Sequence, residues 1–276
     1  MADKANPLPP QLDGLYRTNP DLRPMLDFYI FFQKNVETEL GSVDLPPFRP
    51  DQIQNRLSRS LSGFEAKELP IDIEAARRFI HRLAQADFPV MQNLWELVDV
   101  FVDHPQDLAK VCRMFIAGDS NAFAEWSVER RVVPDLASVV IKWALRPSMI
   151  RLREAVADHL NNLDWHQSVC PLCGAAPYLA RLEKDGARTL ACRVCGQEWR
   201  FPRLQCPFCG TDDRNSLAYL SADDESGYRI DICRECKRYI KTVDSREREE
   251  VLPMELEDIL TQHLDLAARD REYSAP

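Results

Sequence analysis

The chain has 276 residues, 45% of them hydrophobic, and its 44 acidic against 35 basic residues give a formal net charge of −9. That size and apolar content exclude a disordered chain and admit one large domain or two or three small ones. The acidic balance argues against a duplex or other phosphate-rich surface as the main partner.

The opening MADKANPLPPQLDGLYRTNPDL has no apolar core behind a positive head, and nowhere do about eighteen apolar residues run uninterrupted. The expectation is a soluble, cytoplasmic protein that is not exported and not inserted in a membrane.

The first half reads as helices. Between Asp21 and Leu40, the residues Leu22, Met25, Leu26, Tyr29, Ile30, Phe32 and Val36 recur at helical spacing, and Gly41 ends the pattern. LPPFRP then breaks the chain. Asp72 is placed to cap a helix over Ile71–Ala86, with Ala75, Ala76, Phe79, Ile80 and Leu83 on its apolar face. Further helices are predicted over Val90–Val102, over Gln106–Ala117 between Pro105 and Gly118, over Asn121–Glu129, and over Asp135–Asn161 with a kink or break at Pro147. Together they predict an α-helical domain over residues 1–165.

After Trp165 the texture changes. Short β-type runs (APYLARLE, RTLACRV, EWRFPRL, LAYLSA, YRIDIC) replace the long apolar periods, and their length suits small antiparallel ribbons. The tail beyond Pro253 returns to helix, with Leu256, Ile259, Leu260, His263, Leu264 and Ala267 on one face and a frayed end at EYSAP.

Cysteine is where composition turns specific. Of nine cysteines, eight fall between Cys170 and Cys236 as four C-x-x-C pairs: Cys170 and Cys173, Cys192 and Cys195, Cys206 and Cys209, Cys233 and Cys236. A disulfide framework scatters cysteines through a short secreted chain, whereas paired knuckles in a long one point to metal. Two intervening residues let both sulfurs turn to one ion, and Gly174, Gly196 and Gly210 follow the second cysteine where the backbone must turn tightly. Lys237 departs from that rule.

Adjacent pairs then make two four-cysteine sites, in modules over 166–202 and 203–245, followed by a C-terminal helix and tail over 246–276. A cross-braced ligation, first pair with third, is the alternative. Tetrahedral four-sulfur geometry suits iron or zinc equally, so two ions of either metal are expected. Each module is too small for a substantial core, and bound metal is expected to stabilise it.

The remaining residues carry less. Phosphate-loop, dinucleotide and H-E-x-x-H motifs are absent, and four sulfurs per ion leave no open coordination position, so the reading is not an enzyme. His166 reads as a polar residue at the domain junction, Cys112 as a small buried side chain, and Trp95, Trp126 and Trp143 as core. Trp199 with Arg188, Arg193, Arg200 and Arg203 raises a zinc-ribbon nucleic-acid surface as an alternative. Residues 166–240 hold eleven basic and ten acidic side chains; with eight thiolates on two divalent ions the region carries roughly −3, which weakens that alternative. The acidic loop with Asp223, Asp224 and Glu225, like Trp199 and Arg203, is a candidate partner-binding surface.

The helical front half followed by CPLCG, CRVCG, CPFCG and CREC, with EWR-x-x-R at Glu198 to Arg203 and DDE at Asp223 to Glu225, resembles the FdhE family of formate dehydrogenase accessory proteins. Its most specific stretch runs from WHQSVCPLCG at Trp165 to CKRYIK ending at Lys241. The resemblance implies an α+β multidomain chain: an α-helical domain, two tandem rubredoxin-like or zinc-ribbon modules and a C-terminal helix. It also implies a cytoplasmic maturation factor that assists assembly of the molybdenum- or tungsten-containing catalytic subunit of formate dehydrogenase, with metal held by the eight knuckle cysteines. A rubredoxin-like electron carrier is the second reading, and a homodimer is compatible with the sequence.

Overall fold

A computed structural model describes residues 10–18, 20–85, 92–161, 163–221 and 227–275. Its helical part comprises α1 (Pro10–Thr18), α2 (Arg23–Leu40), α3 (Pro50–Leu57), α4 (Ile73–Gln85), α5 (Gln92–Asp103), α6 (Pro105–Ala117), α7 (Ser120–Arg130), α8 (Pro134–Ala155) and α9 (Ala157–Leu160). Helices α3, α6 and α8 each begin on a proline, whose fixed φ suits the first turn and whose missing N–H is not needed there. Asp119 caps α7 by accepting from the Ala122 N–H at 3.0 Å. The LPPFRP segment is thus a break that ends in a helix start, and α3 follows it with only Ile53 and Leu57 buried.

Helices α2, α4 and α8 meet around Phe32, which is fully buried; its ring lies 5.6 Å from Phe79 and 5.4 Å from Trp143 in edge-on contacts. Such contacts add to a burial term of about 1.5–3 kcal/mol for the side chain. Glu39, also fully buried, is neutralised by Arg78 at 3.0 Å and by Arg82, which ties α2 to α4. Helix α8 runs through Pro147 without a break. The interruption comes instead at Val156 (φ −116°, ψ 11°), because buried neighbours on both sides of the proline, Trp143 to Leu145 and Met149, hold the backbone helical.

The β segments are β1 (Pro177–Leu182), β2 (Arg188–Cys192), β3 (Glu198–Phe201), β4 (Leu217–Ser221), β5 (Tyr228–Cys233) and β6 (Tyr239–Asp244). They do not form two separate ribbons. Each module is an antiparallel three-stranded unit, and the units join edge to edge through a parallel pairing of β1 with β6, giving one six-stranded sheet in the order β3-β2-β1-β6-β5-β4. The parallel register, Leu179 opposite Lys241 to Leu182 opposite Asp244, removes one exposed edge from each unit. Since β1 and β6 run the same way, the second module repeats the first by translation along the sheet.

The first module shares a single hydrophobic core with the helices: Leu172, Leu190, Val194, Trp199 and Phe201 cluster with residues of α2 to α8. The tail forms two helices, α10 (Met254–Leu260) and α11 (Gln262–Arg269), interrupted at Thr261. Leu256 enters the shared core, whereas Leu264 and Ala268 pack under Ile230, Ile232 and Tyr239 of the second module. The break lets one apolar stripe serve two bodies. Lys241, buried beneath the tail, bonds Asp258 at 2.7 Å and Asp265 at 2.8 Å. The chain end is pinned rather than frayed: Ser274 donates to the Lys237 carbonyl at 2.8 Å and accepts from the Tyr239 N–H at 3.2 Å.

Candidate metal centres

All four C-x-x-C pairs fold into one local shape. In each, the residue after the second cysteine donates its N–H to the first cysteine's carbonyl: Gly174 to Cys170 at 3.0 Å, Gly196 to Cys192 at 3.1 Å, Gly210 to Cys206 at 3.1 Å and Lys237 to Cys233 at 3.0 Å. The position requires a left-handed backbone, with φ between 68° and 79° at the three glycines. Lys237 adopts it too, at φ 58°, so the fourth knuckle keeps the geometry without the glycine.

The eight sulfurs gather into two groups, Cys170, Cys173, Cys192 and Cys195 in the first module and Cys206, Cys209, Cys233 and Cys236 in the second. Adjacent pairing therefore holds, and cross-bracing does not. In the first group Cys170 Sγ lies 3.5 Å from Cys195 Sγ, and Cys173 Sγ lies 3.4 Å from Cys192 Sγ. In the second group the Cys206–Cys236 and Cys209–Cys233 separations are both 3.7 Å. A tetrahedron with metal–sulfur bonds of about 2.3 Å has edges of about 3.8 Å, so both groups fit one ion held by four thiolates. Backbone N–H groups already point at the sulfurs, as from Val194 to Cys192 Sγ and from Phe208 to Cys206 Sγ, both at 3.4 Å.

Four thiols this close cannot all ionise by themselves. Burial, then the hydrogen bonds shared with Cys173, Cys192 and Cys195, holds the Cys170 thiol well above its ordinary value. Burial opposes ionisation of Cys192 as well, but hydrogen bonds from its three neighbours bring it well below. A cation among the sulfurs removes this conflict, because it favours the thiolate at all four.

The two groups differ in their surroundings. The first is buried at every cysteine, whereas in the second Cys209 is exposed and Cys236 half-buried. The helical domain closes over the first. Ser62 donates its hydroxyl to the Cys170 carbonyl, the Gly63 N–H bonds the Pro171 carbonyl at 2.7 Å, and the Phe64 N–H bonds the Leu172 carbonyl at 2.9 Å. From the other side Arg153 donates to the Gly196 carbonyl at 2.9 Å, and Arg193 of the second knuckle reaches back to the Phe115 carbonyl at 3.1 Å. Nothing in the local sequence of Ser62, Gly63 and Phe64 signals this role, since it exists only through contacts about a hundred residues away.

Of the proposed partner-surface residues, Trp199 is misplaced in that role. It is 5% exposed, packs in the shared core and donates its indole N–H to the Gln167 carbonyl at 3.1 Å. Arg203 is exposed, and Asp223, Asp224 and Glu225 lie outside the described residues. The arginines do not form one outward stripe: Arg188 is buried, Arg193 is engaged with α6, and Arg200 pairs with Asp185 at 3.3 Å. His166 is exposed and pairs with Asp164 at 3.2 Å. Cys112 is fully buried, with its thiol pushed up to about 12 by burial. Trp126 and Trp143 are core residues, and the Trp95 side chain lies outside the described residues. Among the described residues, no helix is long and apolar enough to cross a membrane.

Fold and site together define a helical N-terminal region joined to a sheet that carries two four-cysteine groups positioned to bind metal. The model of the FdhE central domain matches residues 169–203, which span the first cysteine group. A Protein FdhE homolog from Aquifex aeolicus (strain VF5) is 26% identical over 201 residues, covering 70% of each chain. One from Haemophilus influenzae (strain PittEE) is 23% identical over 263 residues, 91% of this chain and 80% of that one. The crystal structure of the FdhE protein from Pseudomonas aeruginosa has the same fold, with a TM-score of 0.67 at 18% identity over 96% of this chain and 91% of that one. The chain is thus similar in sequence and in fold to FdhE proteins.

Proposed function

We propose that this protein is a non-enzymatic accessory factor for formate dehydrogenase, acting in the cytoplasm by binding the catalytic subunit during its maturation. The observation that carries the reading is the pair of four-sulfur groups in a chain similar to FdhE proteins. Four protein thiolates fill a tetrahedral ion and leave no position for substrate, so each ion, iron or zinc, organises a surface instead of performing hydrolysis. The test is affinity capture from cells that make formate dehydrogenase, combined with deletion of the gene. The expected result is recovery of the catalytic subunit and loss of formate dehydrogenase activity in the deletion strain. Absence of the subunit from the captured material, together with full activity in the deletion strain, would overturn the reading.

A second reading, electron transfer, has one observation in its favour, the exposure of Cys209 at the second site. Two equivalents of iron and a red protein after anaerobic purification would support it, and a colourless zinc protein would end it.

A further inference from the structure

We propose that the free edge of β4 binds an extended segment of a partner polypeptide as a seventh, antiparallel strand of the sheet. β4 ends the strand order, and among the described residues nothing pairs with its outer side. The Arg234 N–H bonds the Ser216 carbonyl at 2.8 Å, one step beyond the register that sets Leu217 opposite Cys233. Bonded and unbonded pairs alternate along antiparallel strands, so Ala218 and Leu220 bond to β5, whereas Leu217, Tyr219 and Ser221 turn their backbone groups outward. The Leu217 N–H is taken by the Asp213 carbonyl at 3.2 Å, which leaves the Leu217 C=O and both groups of Tyr219 for a neighbour. This edge lacks the usual protection, for β4 carries no charge, no proline and no register shift. The opposite edge, β3, is guarded by exposed Glu198 and Arg200, which face Arg181 and Asp185.

Side chains give the edge a preference. Ala218 and Leu220 pack with Ile230 and Ile232 against the tail, whereas Leu217 and Tyr219 line a pocket of about 190 Å³ with Leu204 and Phe208 of the segment between the modules. Leu204 and Tyr219 are 55% and 62% exposed. A residue opposite Tyr219 on the added strand projects to the same face with its Cβ about 5 Å away, at the mouth of that pocket, where a large apolar side chain covers both. Main-chain bonds then supply affinity and the pocket supplies selectivity. A second copy of the chain is the weaker occupant. Five residues make an edge about 17 Å long and about 10 Å deep, on the order of 200 Å², far below the roughly 800 Å² per partner of a stable dimer. Under the accessory reading above, the segment belongs to the catalytic subunit before it folds; that identity rests on the reading, and the strand addition does not.

The experiment titrates the full-length, metal-loaded chain into a fluorescein-labelled heptapeptide, TVTFTVT, and follows anisotropy. Saturable binding is expected. With the phenylalanine opposite Tyr219, that residue and both valines turn their N–H groups to β4, so N-methylation at those three should weaken binding about tenfold or more. N-methylation at the third and fifth residues, whose N–H groups face away, should leave it unchanged. Tyr219→Pro removes an N–H that β5 does not use, so metal content and Tm should hold while binding falls about tenfold. Tyr219→Ser keeps the N–H and should lose less. If Tyr219→Pro sheds metal, the two methylated peptides decide alone. The proposal is overturned if the heptapeptide does not bind, if the two methylated peptides bind alike, or if Tyr219→Pro folds and keeps full affinity. It is overturned in favour of a second copy if sedimentation shows a dimer that Tyr219→Pro dissociates. These outcomes do not depend on whether the catalytic subunit of formate dehydrogenase is captured.

Discussion

Ser62 donates its hydroxyl to the Cys170 carbonyl at 2.9 Å, and through that bond the loop between α3 and α4 grips a metal knuckle 108 residues further along the chain. The neighbouring Gly63 and Phe64 bonds make the grip a three-point one, and the second module has no counterpart among the described residues.

Unequal metal release follows from this. Exposed Cys209 lets a chelator approach the second ion, whereas the first can leave only after the helical domain opens. With excess chelator, metal loss should be biphasic with one equivalent in each phase, and Cys209→Ser should abolish the fast phase while leaving the slow one. A single phase of two equivalents would contradict the structural inequality.

The glycines after the knuckles provide a second test. Gly196 and Gly210 have similar left-handed φ, 68° and 79°, so alanine at either carries a backbone cost of about 1–2 kcal/mol. A Cβ on Gly210 meets nothing within 4 Å, but one on Gly196 would clash with Arg146 Nη1. That guanidinium is held by Glu255 of α10 and cannot swing away freely. Gly196→Ala should therefore destabilise the chain by about 1–3 kcal/mol more than Gly210→Ala in denaturant titration. Equal losses would show that Arg146 yields.

Asp107 sets an acid limit on the helical domain. Burial opposes its ionisation, but hydrogen bonds from Arg130 at 2.8 Å and Trp126 at 3.3 Å outweigh that and hold the carboxyl below its ordinary value. A folded-state value below the unfolded one contributes stability above about pH 4, and the contribution fades as pH falls through the folded value. Asp107→Asn should cost about 1–3 kcal/mol at pH 7, and the deficit should shrink on acidification. Comparing the two chains cancels the acid loss of metal common to both. A deficit independent of pH would assign the effect to packing alone.

Cysteine labelling should separate the structural thiol from the ligands. Cys112 is fully buried among α6 neighbours with its thiol raised to about 12, so alkylation in the native state should miss it before and after metal removal. Cys209 should react first once the ion is gone. Mass mapping of the modified peptides would report the order, and early modification of Cys112 would mean that the core opens with the metal sites.

The two four-cysteine groups were legible because the information is local: each knuckle needs two intervening residues and a tight turn, and both can be read within six positions. Lys237 shows the limit of that code, since a turn held by the Lys237 N–H bond to the Cys233 carbonyl keeps a non-glycine residue in the left-handed region. The joined sheet was not legible, because the pairing of Leu179 with Lys241 depends on contacts across two modules. Trp199 was misread for a similar reason. Alternation along a strand separates two faces, but only the tertiary fold decides that its face is the one the helices cover. Arg188 stood in the sequence only as one basic residue among several, and its burial beside Asp231 is what distinguishes it.

The translational relation between the modules has a spatial consequence. A two-fold pair would turn its metal ends in opposite directions, but a shift along parallel β1 and β6 sets both knuckle ends on one rim of the sheet. Three strand spacings separate equivalent points, roughly 14 Å along a flat sheet. The chain thus carries a fixed ruler with two like marks: one is sheathed by its own helices, and the other turns the same cysteine-rich contour outward.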